Sequence, residues 1–490
     1  MSASDAADTA TPLDAIVHER SSITRNATAL SVANVTARIF VLGLAVAIGR
    51  GLGVDEYGRY GFAVAVAMVI VPVADFGITT YLWREVAWAG TDANRSAAHL
   101  ARIKTGLSLA ALVLAGAATL LVTSASEAVV IIVVLAGGLA DGMSAYVFGF
   151  FQGREQMGFE ATWTVATALI RSVGGIVLVL VTGRLLPVLL WMLAVSGVQL
   201  LVAMIRFRGT VSMSGTAATG PRPVIAWRSL IAMGALGVSV LVYIRADSVL
   251  LGIIKGQHTV GLYTAAYSLM GAAQLVPLQI SQAVIPALSR TFRRDRLEFL
   301  ATWDGGMWAI VVIALPLALL TSVLSRGVVS LPYGSAYASA STALAVLIWA
   351  SPLGVVNALV AGALYAAGEE LWPAVVSVFA VILNVGLNLW AIPAFGVAGA
   401  AGVTVATEVL VLGLQVRHLV ARGVAPVPRL PYRGLALALA SSAGAGLVAR
   451  PLGTVVAGLL GIAAYLAIGI ATGALSRRWT SLLRHRPVAS

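Results

Sequence analysis

The sequence predicts an all-α polytopic membrane protein with about fourteen transmembrane helices. Three observations predict it. Hydrophobic residues make up 59% of the 490 and charged residues only 11%, with a mean hydropathy of +0.94. A soluble domain carries about 25% charged residues, so this chain has too few to cover a water-facing surface. Apolar runs of membrane-spanning length recur along the chain, and Lys and Arg gather at alternate ends of them.

The runs cover approximately 27–50, 58–84, 104–124, 128–151, 157–182, 186–206, 229–253, 260–289, 303–325, 340–366, 371–393, 397–419, 433–450 and 453–476. Each is long enough to cross, at about 20 apolar residues per crossing. The turn Pro451-Leu-Gly453 separates the last two. Residues 1–23 are polar and lack an apolar core, so they read as a disordered cytosolic tail rather than a signal peptide. The Gly-, Ser-, Thr- and Pro-rich stretch 208–228 reads as a cytosolic linker, and 477–490 as a basic cytosolic tail. The linker splits the helices into an N-lobe (24–207, helices 1–6) and a C-lobe (229–420, helices 7–12), followed by helices 13–14 (433–476).

With the N-terminus inside, 23 of the 32 Lys and Arg fall in inner loops and tails, Lys104 among them. Six fall outside: Arg50, Arg59, Arg184, Lys255, Arg326 and Arg450. This asymmetry predicts a multi-pass protein with both termini cytosolic, and a bacterial-type inner membrane is its expected location. It also explains the net charge of +12 without nucleic acid as a partner. Cysteine is absent, which excludes disulfides and thiol chemistry.

The chain repeats itself. Gly58-Arg-Tyr60 is echoed by Gly261-Leu-Tyr263, and Gly153-Arg-Glu155 by Gly368-Glu-Glu370. An offset of six helices preserves topology, so the expected fold is two six-helix lobes related by a pseudo-two-fold along the membrane normal, with a cleft between them. Two further helices complete the chain.

Seven charges lie inside the apolar runs: Arg38, Asp75, Asp141, Arg171, Arg245, Asp247 and Glu408. A charge at membrane depth costs roughly 3 kcal/mol on insertion scales, so it faces protein or water. Arg38, Arg171 and Arg245 read as cavity cations, because a planar guanidinium suits phosphate. The carboxylates Asp75, Asp141, Asp247 and Glu408 read as ion-coupling groups or as helix-pairing partners. Asp75 with Arg38 and Asp141 with Arg171 are the evident pairs. Tyr57, Trp88, Trp227 and Trp372, near run ends, read as interface anchors. No phosphate-binding loop, metal cluster or catalytic set is present in the sequence. The chain therefore reads as a non-enzyme without cofactors, driven by a gradient, with sodium or proton as the coupling ion left open.

Leu52-Gly-Val-Asp-Glu-Tyr-Gly58, Asp75-Phe-Gly77 and Arg84-Glu85 resemble the opening of the O-antigen-type polysaccharide flippases. These belong to the multidrug/oligosaccharidyl-lipid/polysaccharide exporter superfamily. Asp247-Ser-Val-Leu-Leu-Gly252, Val260-Gly-Leu-Tyr263 and Pro286-Ala-Leu-Ser-Arg290 continue the resemblance. Tyr333-Gly-Ser-Ala-Tyr337 and the stretch from Asn384 to Gly402 carry it to about residue 420. The resemblance implies alternating access and a polyprenyl-diphosphate-linked oligosaccharide as cargo, turned from inner to outer leaflet. Membrane lipids, and polysaccharide synthesis or polymerisation proteins, are the implied partners. Arg38, Arg171 and Arg245 are the residues that could meet the diphosphate. The rivals are a cation-coupled multidrug exporter of the same superfamily and a flippase of the peptidoglycan lipid precursor. A membrane glycosyltransferase would need a large catalytic loop, which is lacking, and an inactive scaffold stays open.

Overall fold

The computed structural model describes residues 12–89, 93–213, 234 and 245–475, which form helices and no strand. The first group is α1 (Pro12–Leu52), α2 (Val54–Asp75), α3 (Ile78–Ala89), α4 (Ala93–Val122), α5 (Ala125–Gln152), α6 (Met157–Thr182) and α7 (Leu185–Met213). Next come α8 (245–255), α9 (Gln257–Phe292), α10 (Arg296–Val323), α11 (Ser325–Tyr333), α12 (Ala340–Leu347) and α13 (Ala350–Ala366). The chain ends with α14 (Leu371–Ala421), α15 (Tyr432–Val448) and α16 (Thr454–Ala471).

Local chemistry sets many of these ends. Ser124 caps α5 by accepting from the Glu127 amide, and Asp295 caps α10 by accepting from the Leu297 and Glu298 amides. Both satisfy donors that a helix start leaves open. Gly183, at φ +58°, ends α6 in the left-handed conformation that glycine adopts without strain.

Eleven helices among the described residues are long and apolar enough to cross a membrane. Their exposed surface is apolar: Leu121 is 87% and Leu180 78% exposed. The protein is a multi-pass membrane protein. The difference between eleven and fourteen has a local origin. α14 is two helices joined across Gly396, where φ +56° and ψ −133° interrupt the helical backbone just after Pro393. α15 is 17 residues long, one short of the 18 that count as a span. Most of the expected run 229–253, the body of the 208–228 linker with Arg222, Trp227 and Arg228, and the 477–490 tail lie outside the described residues.

Three expectations change. The run 58–84 is not one helix, because α2 ends at Asp75 and Phe76 (φ +40°) and Gly77 (φ +77°) turn the chain before α3. α1 begins at Pro12, so helix covers much of the stretch read as a tail. Lys104 is not a loop cation: it sits inside α4 and is 3% exposed.

The chain divides into two units, residues 1–44 with 70–237, and residues 45–69 with 238–490. In the first, α3, α4, α5 and α7 meet around Tyr81, Leu82, Tyr146, Phe150 and Phe151. In the second, α9, α10, α13 and α14 meet around Phe299, Trp303, Leu359, Leu364 and Leu419. A further core of Trp308, Leu435 and Tyr465 seats α15 and α16 on α10. Residues 45–69 thus pack with the second unit, although the linker-based boundary placed them in the N-lobe.

The segment 45–69 is held there by glycines and tyrosines. A β-carbon on Gly58 would strike the backbone of Gln257, and one on Gly261 the backbone of Val54. The two Gly-x-Tyr echoes are therefore the places where α2 and α9 approach at backbone distance. Tyr57 is fully buried, so it is a core residue and not an interface anchor. Its hydroxyl lies 3.0 Å from that of Ser268 and 3.2 Å from that of Tyr333. Tyr337 donates to the Gly49 carbonyl at 2.9 Å. Burial raises the Tyr333 and Tyr337 phenols above their ordinary values, so both stay neutral donors at ordinary pH. Trp88, at 93% exposed, keeps the interface reading, whereas Trp372 stacks on His418 at 4.5 Å.

Candidate functional site

Three polar clusters sit among the apolar helices. The first joins α5, α6 and α7. Arg171 donates to both carboxylate oxygens of Asp141, at 3.0 and 3.1 Å, and to the Ser196 hydroxyl at 2.9 Å. This forked geometry is the stronger form of an ion pair. It commits the guanidinium to Asp141, and the pair is only partly buried, at 19% and 37% side-chain exposure.

The second cluster lies at the end of α2. Asp75 pairs with Lys104, and the Thr79 hydroxyl donates to Asp75 at 2.5 Å. Lys104 also donates to Thr79 at 2.7 Å and lies 5.5 Å from the centre of the Tyr146 ring. The cation facing Asp75 is thus Lys104 and not Arg38. Thr79 reaches Asp75 across the α2–α3 break, where Phe76 and Gly77 leave the helical conformation. Arg38 is exposed on α1.

The third cluster lies in the second unit. Asp247 is 3% exposed and accepts from the Tyr263 hydroxyl at 2.5 Å and the Ser248 amide at 2.6 Å. The Ser248 and Thr404 hydroxyls approach at 3.2 and 3.4 Å. Hydroxyls from α9 and α14 thereby help satisfy a carboxylate on α8 without a direct salt bridge. Arg245, two residues earlier, points elsewhere, as neighbours at that spacing on a helix do. Its Nε lies 3.1 Å from the Met68 sulfur, and its guanidinium sits 4.4 Å over the Tyr267 ring. Among the described residues Arg245 makes no ion pair, although its charge lies near enough to Asp247 to act on it. Glu408, on α14, accepts from the Asn357 side chain at 2.6 Å. Below it Asn388 donates to Asn384 at 2.9 Å, and Asn384 to Thr407 at 3.3 Å.

The arginines therefore divide. Arg171 is held in a direct ion pair within its own unit, while Arg245 rests against an aromatic ring and a thioether with Asp247 near but not paired to it. The composition-led search for charges missed Tyr263, Thr404, Asn357 and Ser196. They are neutral, and only their burial beside a charge marks them. Asn384 and Asn388 do carry a signal, because two asparagines four apart share one face of an apolar run.

Comparison with known proteins follows these features. Residues 23–292 match the family model described as polysaccharide biosynthesis protein. The chain belongs to the polysaccharide biosynthesis protein family. Residues 225–468 of this family member, overlapping the first match over 225–292, match the model described as lipid II flippase MurJ. Among curated proteins it is 31% identical over 181 residues to the probable flippase AglR of Haloferax volcanii, covering 36% of this chain and 38% of that one. It is also 24% identical over 163 residues to the probable low-salt glycan biosynthesis flippase Agl15 of the same organism, covering 33% and 34%. The matched part thus spans little more than a third of these relatives. Among solved structures, the lipid II flippase MurJ in an inward closed conformation aligns with TM-score 0.67 at 14% identity. The alignment covers 91% of this chain and 99% of that one. An outward-facing multidrug resistance transporter of the MATE family aligns with TM-score 0.59 at 13% identity, covering 82% and 95%. These structural likenesses show a shared fold.

Proposed function

We propose that the protein flips a polyprenyl-diphosphate-linked oligosaccharide from the inner to the outer leaflet, by alternating access, for export of cell-surface polysaccharide. The observation that carries this reading is Arg245. A guanidinium inside an apolar bundle, seated against a ring and a thioether and not joined in an ion pair to the nearby Asp247, can still answer an anionic group. Its fork of donors fits a diphosphate oxygen pair. Arg38, exposed on α1, is the second candidate for the same role. Arg171 drops to a positioning role, since Asp141 and Ser196 occupy it.

In this reading the sugar and diphosphate cross through the protein while the lipid tail stays in the bilayer. The residues perform no covalent chemistry, so the protein is a transporter and not an enzyme. Asp75, Asp141, Asp247 and Glu408 are already hydrogen-bonded within the fold, which favours helix pairing over ion coupling. The expected setting is a cell membrane with both termini cytosolic. Membrane lipids, and proteins of polysaccharide synthesis or polymerisation, are the expected neighbours.

The test is flipping of a fluorescent polyprenyl-diphosphate oligosaccharide in proteoliposomes, with Arg245→Ala compared at equal insertion and melting temperature. A tenfold or greater fall, about 1.4 kcal/mol in the barrier, is expected. Unchanged flipping in the variant removes Arg245 from the path. Transport of cationic dyes in place of the lipid, under an imposed sodium or proton gradient, would hand the function to the drug-exporter alternative.

A further inference from the structure

The first unit carries a groove that none of the three polar clusters uses. α4 and α7 both pack on α5 and hardly touch each other. The groove between them holds about 580 Å³. Each wall is one helix face, with lining residues at i, i+3, i+4 and i+7, from Ala98 to Thr105 on α4 and from Met204 to Val211 on α7. The third of the four is an arginine on both walls, Arg102 and Arg208. Both arginines are exposed. Among the described residues neither is joined in an ion pair, and no carboxylate lines the groove.

A separate observation gives the shape of an occupant: apolar surface is continuous with the two cations. Met204, Phe207 and Val211 line the groove itself. Beyond it, Leu109 and Val113 follow Arg102 on one exposed side of α4, and Ile205 and Leu201 precede Arg208 on one exposed side of α7. Both helices are long and apolar enough to cross a membrane. α4, α5, α6 and α7 are successive spans, so α4 and α7 run in opposite directions and both apolar stripes lead away from the arginines towards the same depth. From Arg102 to Val113 the stripe is about 16 Å long at 1.5 Å per residue, about one leaflet of a core roughly 30 Å thick. A cationic mouth with a leaflet's depth of apolar surface behind it complements an anionic amphiphile.

Other occupants fit less well. An inorganic anion would leave the apolar walls uncovered. The chain's own stretch 214–228, which follows α7, holds Arg222 and Arg228 and no carboxylate, so it would bring like charge. A lipid-linked glycan would bring hydroxyls into a groove where Thr105 is the one lining hydroxyl, already donated to the Ala101 carbonyl at 2.8 Å. We propose that the α4–α7 groove binds one anionic phospholipid, its phosphate accepting from Arg102 and Arg208 and its acyl chains lying along the exposed apolar stripes of α4 and α7. The site does not depend on the cargo reading: it would exist whatever the protein transports.

The test is native mass spectrometry of the purified full chain with added phosphatidylglycerol or phosphatidylcholine. Wild type is expected to retain one phosphatidylglycerol in preference to phosphatidylcholine, whose ammonium the arginines disfavour. The double variant Arg102→Gln/Arg208→Gln is expected to lower that retention at least tenfold. Its melting temperature in lipid-free detergent should match wild type, because neither arginine holds an ion pair. Arg184→Gln, at an exposed arginine of another helix end, should leave retention unchanged. Thr105→Glu provides the second variant. Glutamate suits a helix better than threonine, so the fold should hold while the new carboxylate expels the lipid. Equal retention in wild type, the double variant and Thr105→Glu overturns the proposal, as does equal retention of both lipids. Full displacement by millimolar inorganic phosphate overturns the lipid assignment in favour of a free anion. Displacement of phosphatidylglycerol by an equal amount of polyprenyl diphosphate, lost in the same variants, overturns it in favour of the cargo's own head group.

Discussion

At the residue scale, burial decides what each intramembrane charge does. Lys104 is 3% exposed and has Asp75 and Thr79 as its partners. Removing Asp75 would strand an ammonium in the core. Asp75→Leu is therefore expected to cost roughly 3 kcal/mol or more, and Asp75→Leu with Lys104→Met to recover most of it, measured as melting temperature in detergent. Equal destabilisation by the single and double variants would deny the pair its role. Asp141 and Arg171 are less buried, so Asp141→Ala should cost less, about 1–2 kcal/mol. Asp247 belongs to a different class. Its partners are hydroxyls, and Asp247→Leu leaves the Tyr263 phenol without its acceptor, at about 1–3 kcal/mol. If Asp247 were instead an ion-coupling group, Asp247→Asn would abolish the gradient dependence of transport with little change in stability.

At the element scale, close approach and helix breaks matter more than helix propensity. Gly58 lies where α2 meets the backbone of α9. Backbone cannot move aside as a side chain can, so Gly58→Val is expected to destabilise the second unit by several kcal/mol, on the order of severe overpacking. An exposed, unobstructed glycine such as Gly209 serves as the comparison; equal melting temperatures for Gly58→Val and Gly209→Val would refute the close-approach argument. Gly396 breaks α14 at a φ/ψ combination that only glycine adopts without strain. Pro393 marks the same place in sequence. The Phe76-Gly77 break interrupts a run that the sequence offered as one apolar segment, and the Lys104–Asp75 pair beside it was not foreseen.

At the scale of the whole molecule, orientation is the property to test. The chain has no cysteine, so single cysteines can be introduced without background. Ser126→Cys, in the first turn of α5, should react with a membrane-impermeant thiol reagent on intact cells. Gln156→Cys, between α5 and α6, should react only after permeabilisation. The reverse pattern would invert the topology drawn from the charge count.

What the sequence determined alone was the class: too few charges for a water-facing surface, helices of bilayer length, and a family resemblance spread over most of the chain. Those are properties of composition and order, and they survive any detail of packing. The seven charges inside the apolar runs were also legible, because each interrupts such a run. Which partner each charge takes was not. Lys104 stands beside Arg102 near the start of an apolar run, so it looks like an inner-loop cation until α4 carries it to Asp75. Arg171 and Arg245 look alike in sequence, yet one is held in a direct ion pair and the other is not. Only the tertiary structure separates them, because pairing depends on which helices pack together and which face each turns inward, and those are set by contacts between residues far apart in the chain.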